Sequence, residues 1–502
     1  MCINVLDWLE ERACKDNERP AFADDNMSLP FGEVCDRAKR AGTFFCGKIA
    51  ARQSVAFYLE KSVEAVCAMF GAVYAGGFYS FIDVRQPPVR ASSVLSVLRP
   101  ALIVTDAVNR KRLAEAGADV PVFLLDDVFP PCIAEDVLAR RRRNAMDGDP
   151  LYVNFTSGST GLPKGVAVSH RSVIDFISVF TEIFGIGKED VFANQAPFDF
   201  DVSVKDIYSC LKTGASVQLI PRPYFSMPVK LMDYLADRAA TVLVWAVSAM
   251  CFVSIMDGFG YRVPEKVRLV MFSGEVMPVR HLHVWQKFLP HAAYVNLYGP
   301  TEITCNCSYY VINRDFKDGD CIPIGKAFPN ESVFLLDEND AQVTKPGCDG
   351  EICVSGTCVA LGYYNDREHT EKSFVRNPLT EPFPERMYRT GDIGRYDAEG
   401  NLVYAGRRDF QIKHMGHRIE LGEIEAAASA YAGIARVCCL YDGKKERLVL
   451  FYQGRCDKAV LIRELRQKLP PFMLPNTLIE VEEMPLNKNG KIDRARLKEM
   501  IP

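Results

Sequence analysis

The stretch FTSGSTGLPKG, from Phe155 to Gly165, crowds Thr156, Ser157, Ser159, Thr160 and Lys164 among Gly158, Gly161 and Gly165. Glycines let a backbone turn its N–H groups into a concave cradle, hydroxyls add donors and a lysine adds a point charge, so the natural guest is an anion such as a phosphate. A flexible surface turn has the same composition, and the rest of the chain must separate the two readings. One nucleotide loop is excluded at once. A Walker loop needs Gly-Lys-Ser/Thr at a helix start, and here Lys164 is followed by Gly165. LYVNF before the loop and GVAVSH after it read as strands, so it joins two strands.

Short apolar runs alternate with amphipathic segments, the pattern of α/β architecture. SVAFYLE and ALIVTD read as strands, with SVEAVCAMFGAVYAGG between them as a helix stopped by glycine. Near Gly406 the pattern changes: GRRDFQIKHMGHRIELGEIE packs charge and glycine together, and RVCCLYD, RLVLFYQG and a helix from Asp457 carrying Leu461, Leu465 and Leu469 form a small α+β unit. The 502 residues, 48% hydrophobic and 25% charged, suffice for more than one domain. A net charge of −4 argues against nucleic acid as a partner, and the basic run Arg140 to Arg143 reads as a solvated loop. Seventeen scattered cysteines with no leader read as reduced thiols in a cytoplasm. Cys305, Cys307, Cys438 and Cys439 lack zinc spacing and read as packing residues, as do His281 and His283. No run is long enough for membrane insertion.

The loop has company. FDFDVSV follows at Phe198 to Val204, NLYGPTE at Asn296 to Glu302, GEICVSG at Gly350 to Gly356, YRTGD at Tyr388 to Asp392, then the block after Gly406, and LNKNGKIDR at Leu486 to Arg494. In this order the segments resemble the core motifs of the adenylate-forming superfamily, specifically the adenylation domains of nonribosomal peptide synthetases and their freestanding relatives, over nearly the whole chain. The resemblance implies a large N-terminal domain, residues 1–405, made of two packed α/β subdomains and a small β-barrel, and a small mobile α+β domain, residues 406–502. It also implies ATP and Mg2+ as cofactors.

Joining a carboxylate to the α-phosphate of ATP requires neutralising negative charge on both sides. By resemblance, Thr156, Ser157, Gly158, Ser159, Thr160 and Lys164 hold the outer phosphates, Glu302 binds magnesium, and Thr301 donates to phosphate. One glutamate suffices for an ion that keeps its waters. Tyr298 stacks on adenine, Asp392 accepts from the ribose hydroxyls and Arg407 fixes ribose and phosphate. Lys491 is the catalytic lysine, carried on a mobile loop and reaching both anions; a compact ammonium suits that task better than a planar fork. Asp409 is the hinge about which the small domain turns to admit a thiol.

Asp201 matches the aspartate with which amino-acid-activating members pair the α-ammonium of their substrate; an N-cap role is compatible with it. A buried carboxylate rejects a substrate without a cation. Val202, Lys205, Ala246, Met271, Ser273, Leu297 and Cys305 are the other expected pocket residues. The segments around Asp201 and Ser273 look closest to D-alanine:carrier-protein ligases, with two departures: Ser273 replaces a cysteine, and Lys205 replaces an apolar residue. If a helix begins at Asp201, Lys205 lies one turn on. It then either receives the carboxylate of an acidic amino acid or pairs with Asp201 or Asp206. The expected product is a thioester on a separate phosphopantetheinylated carrier protein in trans, since no carrier segment is attached. The alternatives are transfer to free coenzyme A, a ligase for a non-amino carboxylic acid, which Asp201 disfavours, and a non-catalytic scaffold, which Lys164, Glu302, Asp392, Arg407 and Lys491 together disfavour.

Overall fold

Runs such as Ser54–Tyr58 and Leu269–Ser273 are apolar without alternation, and both are buried along their whole length. Strands of this kind need helices on both faces, which is what parallel sheets receive from their crossovers. The computed structural model describes residues 2–158, 162–408, 411–443, 445–486 and 492–502. Within them a seven-stranded sheet has Phe78–Phe81, Ser54–Tyr58, Leu102–Thr105 and Val122–Leu124 as its parallel part. The hairpin of Pro150–Thr156 and Lys164–Ser169 lies against it, so the glycine loop does join two antiparallel strands.

A nine-stranded sheet carries Val191–Asn194, Val242–Ala246, Leu269–Ser273 and Ala293–Tyr298 side by side in parallel. Ala246, Ser273 and Tyr298 are the last residues of their strands. Open parallel sheets bind ligands in the crevice beyond these carboxyl ends. Beside the two sheets stands a five-stranded antiparallel sheet built on Arg386–Tyr396, whose last partner, Leu402–Arg407, brings Arg407 opposite Asp392. The chain beyond contains the hairpin of Gln411–His414 and His417–Glu420, then a three-stranded sheet of Ile434–Asp442, Arg447–Gly454 and Thr477–Glu480. The helix Lys458–Lys468 is capped by Asp457, which accepts from two backbone N–H groups, and Leu461, Leu465 and Leu469 are buried as their spacing requires.

The run Arg140 to Arg143 is not a solvated loop but the last turn of the helix Glu135–Arg143. Glu135 and Asp136 in the first turn and the arginines in the last complement the helix dipole. Buried Leu138 anchors the helix, and Arg142 reaches Asp7 and Glu10. Charge composition alone hides that amphipathic start. Among the described residues, no helix is long and apolar enough to cross a membrane.

Candidate active site

Beyond the strand ends lies a cavity of about 130 Å³ whose walls include Thr156, Ser157, Asp201, Val202, Ser273, Thr301, Cys305, Asp392 and Arg407. Segments far apart in the chain thus meet in one place. Gly158 follows Ser157 at a point where a Cβ would come within 2.0 Å of the Leu162 carbonyl oxygen, so the turn is closed to any side chain. Lys164 leaves the loop with its ammonium over the Tyr363 ring at 5.6 Å. A hydroxyl-rich backbone cradle beside a lysine fits the outer phosphates of a nucleotide.

Asp201 occupies the N-cap position of the helix Val202–Thr213, but its side chain makes no capping bond. It is turned toward Thr301, whose hydroxyl donates to it. Burial pushes its carboxyl upward in pKa, and Lys205 and Thr301 offset only part of that. Cys305, at a φ of 74°, donates its Sγ–H to the Asp201 carbonyl at 3.1 Å. Lys205 is fully buried and, although its charge favours the ionised forms of both Asp201 and Asp206, it hydrogen-bonds to neither: its Nζ donates to Asn306 Oδ1 at 2.6 Å. Asp206 instead accepts from Asn194 at 2.8 Å, and burial raises it to about 7. Helical spacing shows which residues share a face; it does not show that an amide 101 positions away takes the ammonium.

Three other expected pocket residues stand elsewhere. Met271 is fully buried, on the same face of its strand as Ser273 but two residues back from the strand end, where it packs in the core instead of lining the cavity. Leu297 lines an adjacent cavity of about 640 Å³ together with Tyr298 and Arg407, and Ala246 lines another of about 600 Å³. The Tyr298 hydroxyl donates to Asp392 Oδ2 at 2.5 Å, and Arg407 Nη1 donates to Asp392 Oδ1 at 2.6 Å. Ser159, Thr160, Asp409 and Lys491 lie outside the described residues.

Glu302 is 1% exposed. One of its oxygens accepts from Arg418 Nη1 at 2.7 Å and the other from the Tyr363 hydroxyl at 2.8 Å. Burial would raise its pKa, but Arg418 and Tyr363 prevail and hold the carboxyl below the ordinary range. A lone buried carboxylate held ionised fits one protein ligand of a magnesium ion, provided Arg418 withdraws. Among the described residues no group of three or more histidine, cysteine or acidic side chains could hold a metal without substrate oxygens.

Sequence reasoning missed what the last hundred residues do here. Ser157 Oγ donates to the Arg418 carbonyl at 2.8 Å, and Arg90 pairs with Glu423. Burial raises Glu423 to about 7 against the pull of Arg90 and of the Gly158 N–H, which donates to it. His417 stacks on Phe472 at 3.6 Å and meets Phe200 edge-on, closing the cavity. Lys413 sits over the Tyr298 ring at 5.6 Å. The signal was the charge density of the block after Gly406; its target was invisible in one dimension.

The chain belongs to the AMP-binding enzyme family, which it matches over residues 9–364. It is 32% identical to L-proline--[L-prolyl-carrier protein] ligase of Streptomyces coelicolor, over 95% of this chain and 93% of that protein. It is also 32% identical to dimodular nonribosomal peptide synthase of Bacillus subtilis over 99% of this chain, which spans only 21% of that protein's length. Among solved structures it resembles PA1221, an NRPS protein containing adenylation and PCP domains, with a TM-score of 0.84 and 26% identity over 99% of this chain and 84% of that one.

Proposed function

We propose that this protein activates an amino acid with ATP as an aminoacyl-adenylate and then passes the aminoacyl group to the phosphopantetheine thiol of a separate carrier protein. The observation that carries this reading is the placement of Asp201. It lines the cavity shared by Thr156 and Ser157 of the glycine loop and Thr301 of the YGPTE turn. A carboxylate there pairs with the α-ammonium and leaves the substrate carboxylate pointing toward the phosphates.

In this reading Thr156, Ser157, Gly158, Ser159, Thr160 and Lys164 hold the outer phosphates, Tyr298 flanks the adenine, and Asp392 with Arg407 holds the ribose. Glu302 holds Mg2+, which when bound neutralises charge on the phosphates. Thr301 donates to the phosphate, and Lys491 bridges the α-phosphate and the attacking carboxylate. Residues 1–405 form the large domain and residues 406–502 the small one, turning about Asp409. The contacts of Arg418 and Glu423 with Glu302 and Gly158 support an alternation of arrangements, because they use the groups that phosphate and metal need. The setting is the cytoplasm.

Val202, Ser273 and Cys305 make a narrow wall, which suits slim side chains, D-alanine being the small end of that class. Pyrophosphate exchange over D- and L-amino acids, run beside fatty and aryl acids, tests the reading. Exchange with plain carboxylic acids alone rejects it in favour of an acyl-coenzyme A ligase, and exchange with none favours a scaffold. Incubation with a phosphopantetheinylated carrier or with free coenzyme A tests the acceptor.

A further inference from the structure

Asp199 stands in the turn between the strand Val191–Asn194 and the helix Val202–Thr213, and it lines the same cavity as Asp201, Ser273 and Thr301. For packing alone a neutral residue would serve there, because a carboxylate drawn out of water costs free energy unless something compensates it. Asp201, two residues on, has Lys205 and Thr301 to do so. Among the described residues only its own backbone N–H donates to the Asp199 carboxyl. The group therefore faces the cavity with its acceptor capacity largely unused.

Its surroundings make it a better base than an ordinary carboxylate. Burial raises its pKa, Asp83 and Glu60 raise it further, and its own N–H and the Arg85 guanidinium offset only part of this. Asp83 is itself held beside it by Arg85 at 3.1 Å and Arg222 at 3.2 Å. A base matched to its task has a pKa near that of the proton it takes, and a carboxyl held high approaches a thiol in this respect. His417, the titratable group contributed to this wall by the docked hairpin, is depressed to about 4 by burial. A proton passing to it from a thiol of pKa about 8.5 would move uphill by about four orders of magnitude or more.

A thiol also has a way in. The cavity of about 600 Å³ borders the first one, and Asp83, Phe200, His417 and Phe472 are walls of both. Exposed Arg85 and Met415 also line it, so it reaches the surface. We infer that Asp199 is the general base of the second half-reaction: its carboxylate takes the proton of the phosphopantetheine thiol as the sulfur attacks the carbonyl carbon of the aminoacyl-adenylate. The carbon–sulfur bond forms, the bond from that carbon to the phosphate oxygen breaks, and AMP leaves with the electron pair. Asp199 keeps the proton and returns it to water when the thioester departs. The inference rests on the transfer reading proposed above and adds the group that readies the thiol, with Asp83 as its positioning residue.

The test is single-turnover transfer by the intact protein from its bound aminoacyl-adenylate to free pantetheine, between about pH 6 and 9, with the amino acid of fastest pyrophosphate exchange. Native transfer should rise with pH and level off before the thiol itself titrates. Asp199→Asn should slow transfer near neutral pH about a hundredfold more than it slows pyrophosphate exchange, and its rate should keep climbing by about tenfold per pH unit, following free thiolate. Asp199→Glu should restore part of the rate and the levelling. Asp83→Asn removes a like charge, so it should move the rising limb of the native profile to lower pH. Equal loss of exchange and transfer in Asp199→Asn, or a transfer profile whose shape that variant leaves unaltered, overturns the inference and leaves amino-acid activation standing. Exchange with no amino acid by the native chain overturns both.

Discussion

Arg418 Nη1 lies 2.7 Å from Glu302 Oε2, so a cation from the last hundred residues rests on the carboxylate proposed for the metal. One carboxylate oxygen cannot serve both. Replacing Arg418 with methionine should lower the Mg2+ concentration for half-maximal pyrophosphate exchange by roughly tenfold, the equivalent of about 1.4 kcal/mol. Thiol transfer should slow, because the hairpin loses its anchor while Tyr363 still holds Glu302. An unchanged magnesium titration would show that the two cations do not compete.

Asp201 should matter to the amino acid and not to the nucleotide. Asp201→Ala should reduce kcat/KM for the amino acid by about a thousandfold, from the loss of a partly buried charge pair, while ATP affinity stays the same. If ATP affinity falls in parallel, the side chain supports the cavity as a whole and does not select the substrate.

Lys491 is assigned to adenylation alone. Lys491→Ala should abolish adenylate formation while transfer from a preformed aminoacyl-adenylate to a thiol proceeds largely intact. Single-turnover assays of the two half-reactions separate them, and equal loss of both refutes the role.

At Gly158 the backbone approaches itself: an added Cβ would meet the Leu162 carbonyl oxygen at 2.0 Å. Gly158→Ala must reshape the loop, and KM for ATP should rise by about tenfold, since misplacement of a positioning group by an ångström carries costs of that order or more. An unchanged KM would place the phosphates elsewhere.

His170 is 3% exposed, and burial depresses its pKa to about 4. Its Nδ1 accepts from the Val5 N–H at 3.4 Å, a bond that protonation at that nitrogen would remove. The unfolded chain binds this proton from about pH 6.5 downward and the folded chain only near 4, so stability is present above 6.5 and declines as pH falls toward 4. The full effect is about 3 kcal/mol. In denaturant titrations between pH 7 and 5, His170→Gln should lose stability less steeply than the native chain; parallel slopes would exclude His170 as the source.

How much of this was legible in advance depends on the range of the interaction. The strand-loop-strand reading around Gly158, the buried runs at Ser54–Tyr58 and Leu102–Thr105, and the Asp457-capped helix were all readable because burial and capping act between residues a few positions apart. The arginines at 140–143 were misread because four charges masked the helix anchored by Leu138.

The sequence by itself determined the chemistry available: hydroxyls, glycines and Lys164 for anions, Glu302 for a cation, and Asp201 at the head of a helix. Tertiary structure alone decided which charges meet. Lys205 faces Asn306, 101 positions away, and Arg418 faces Glu302, 116 positions away. Coulomb and hydrogen-bond energies depend on distance in space, and that distance is set only when the strand ends and the docked hairpin converge on one cavity.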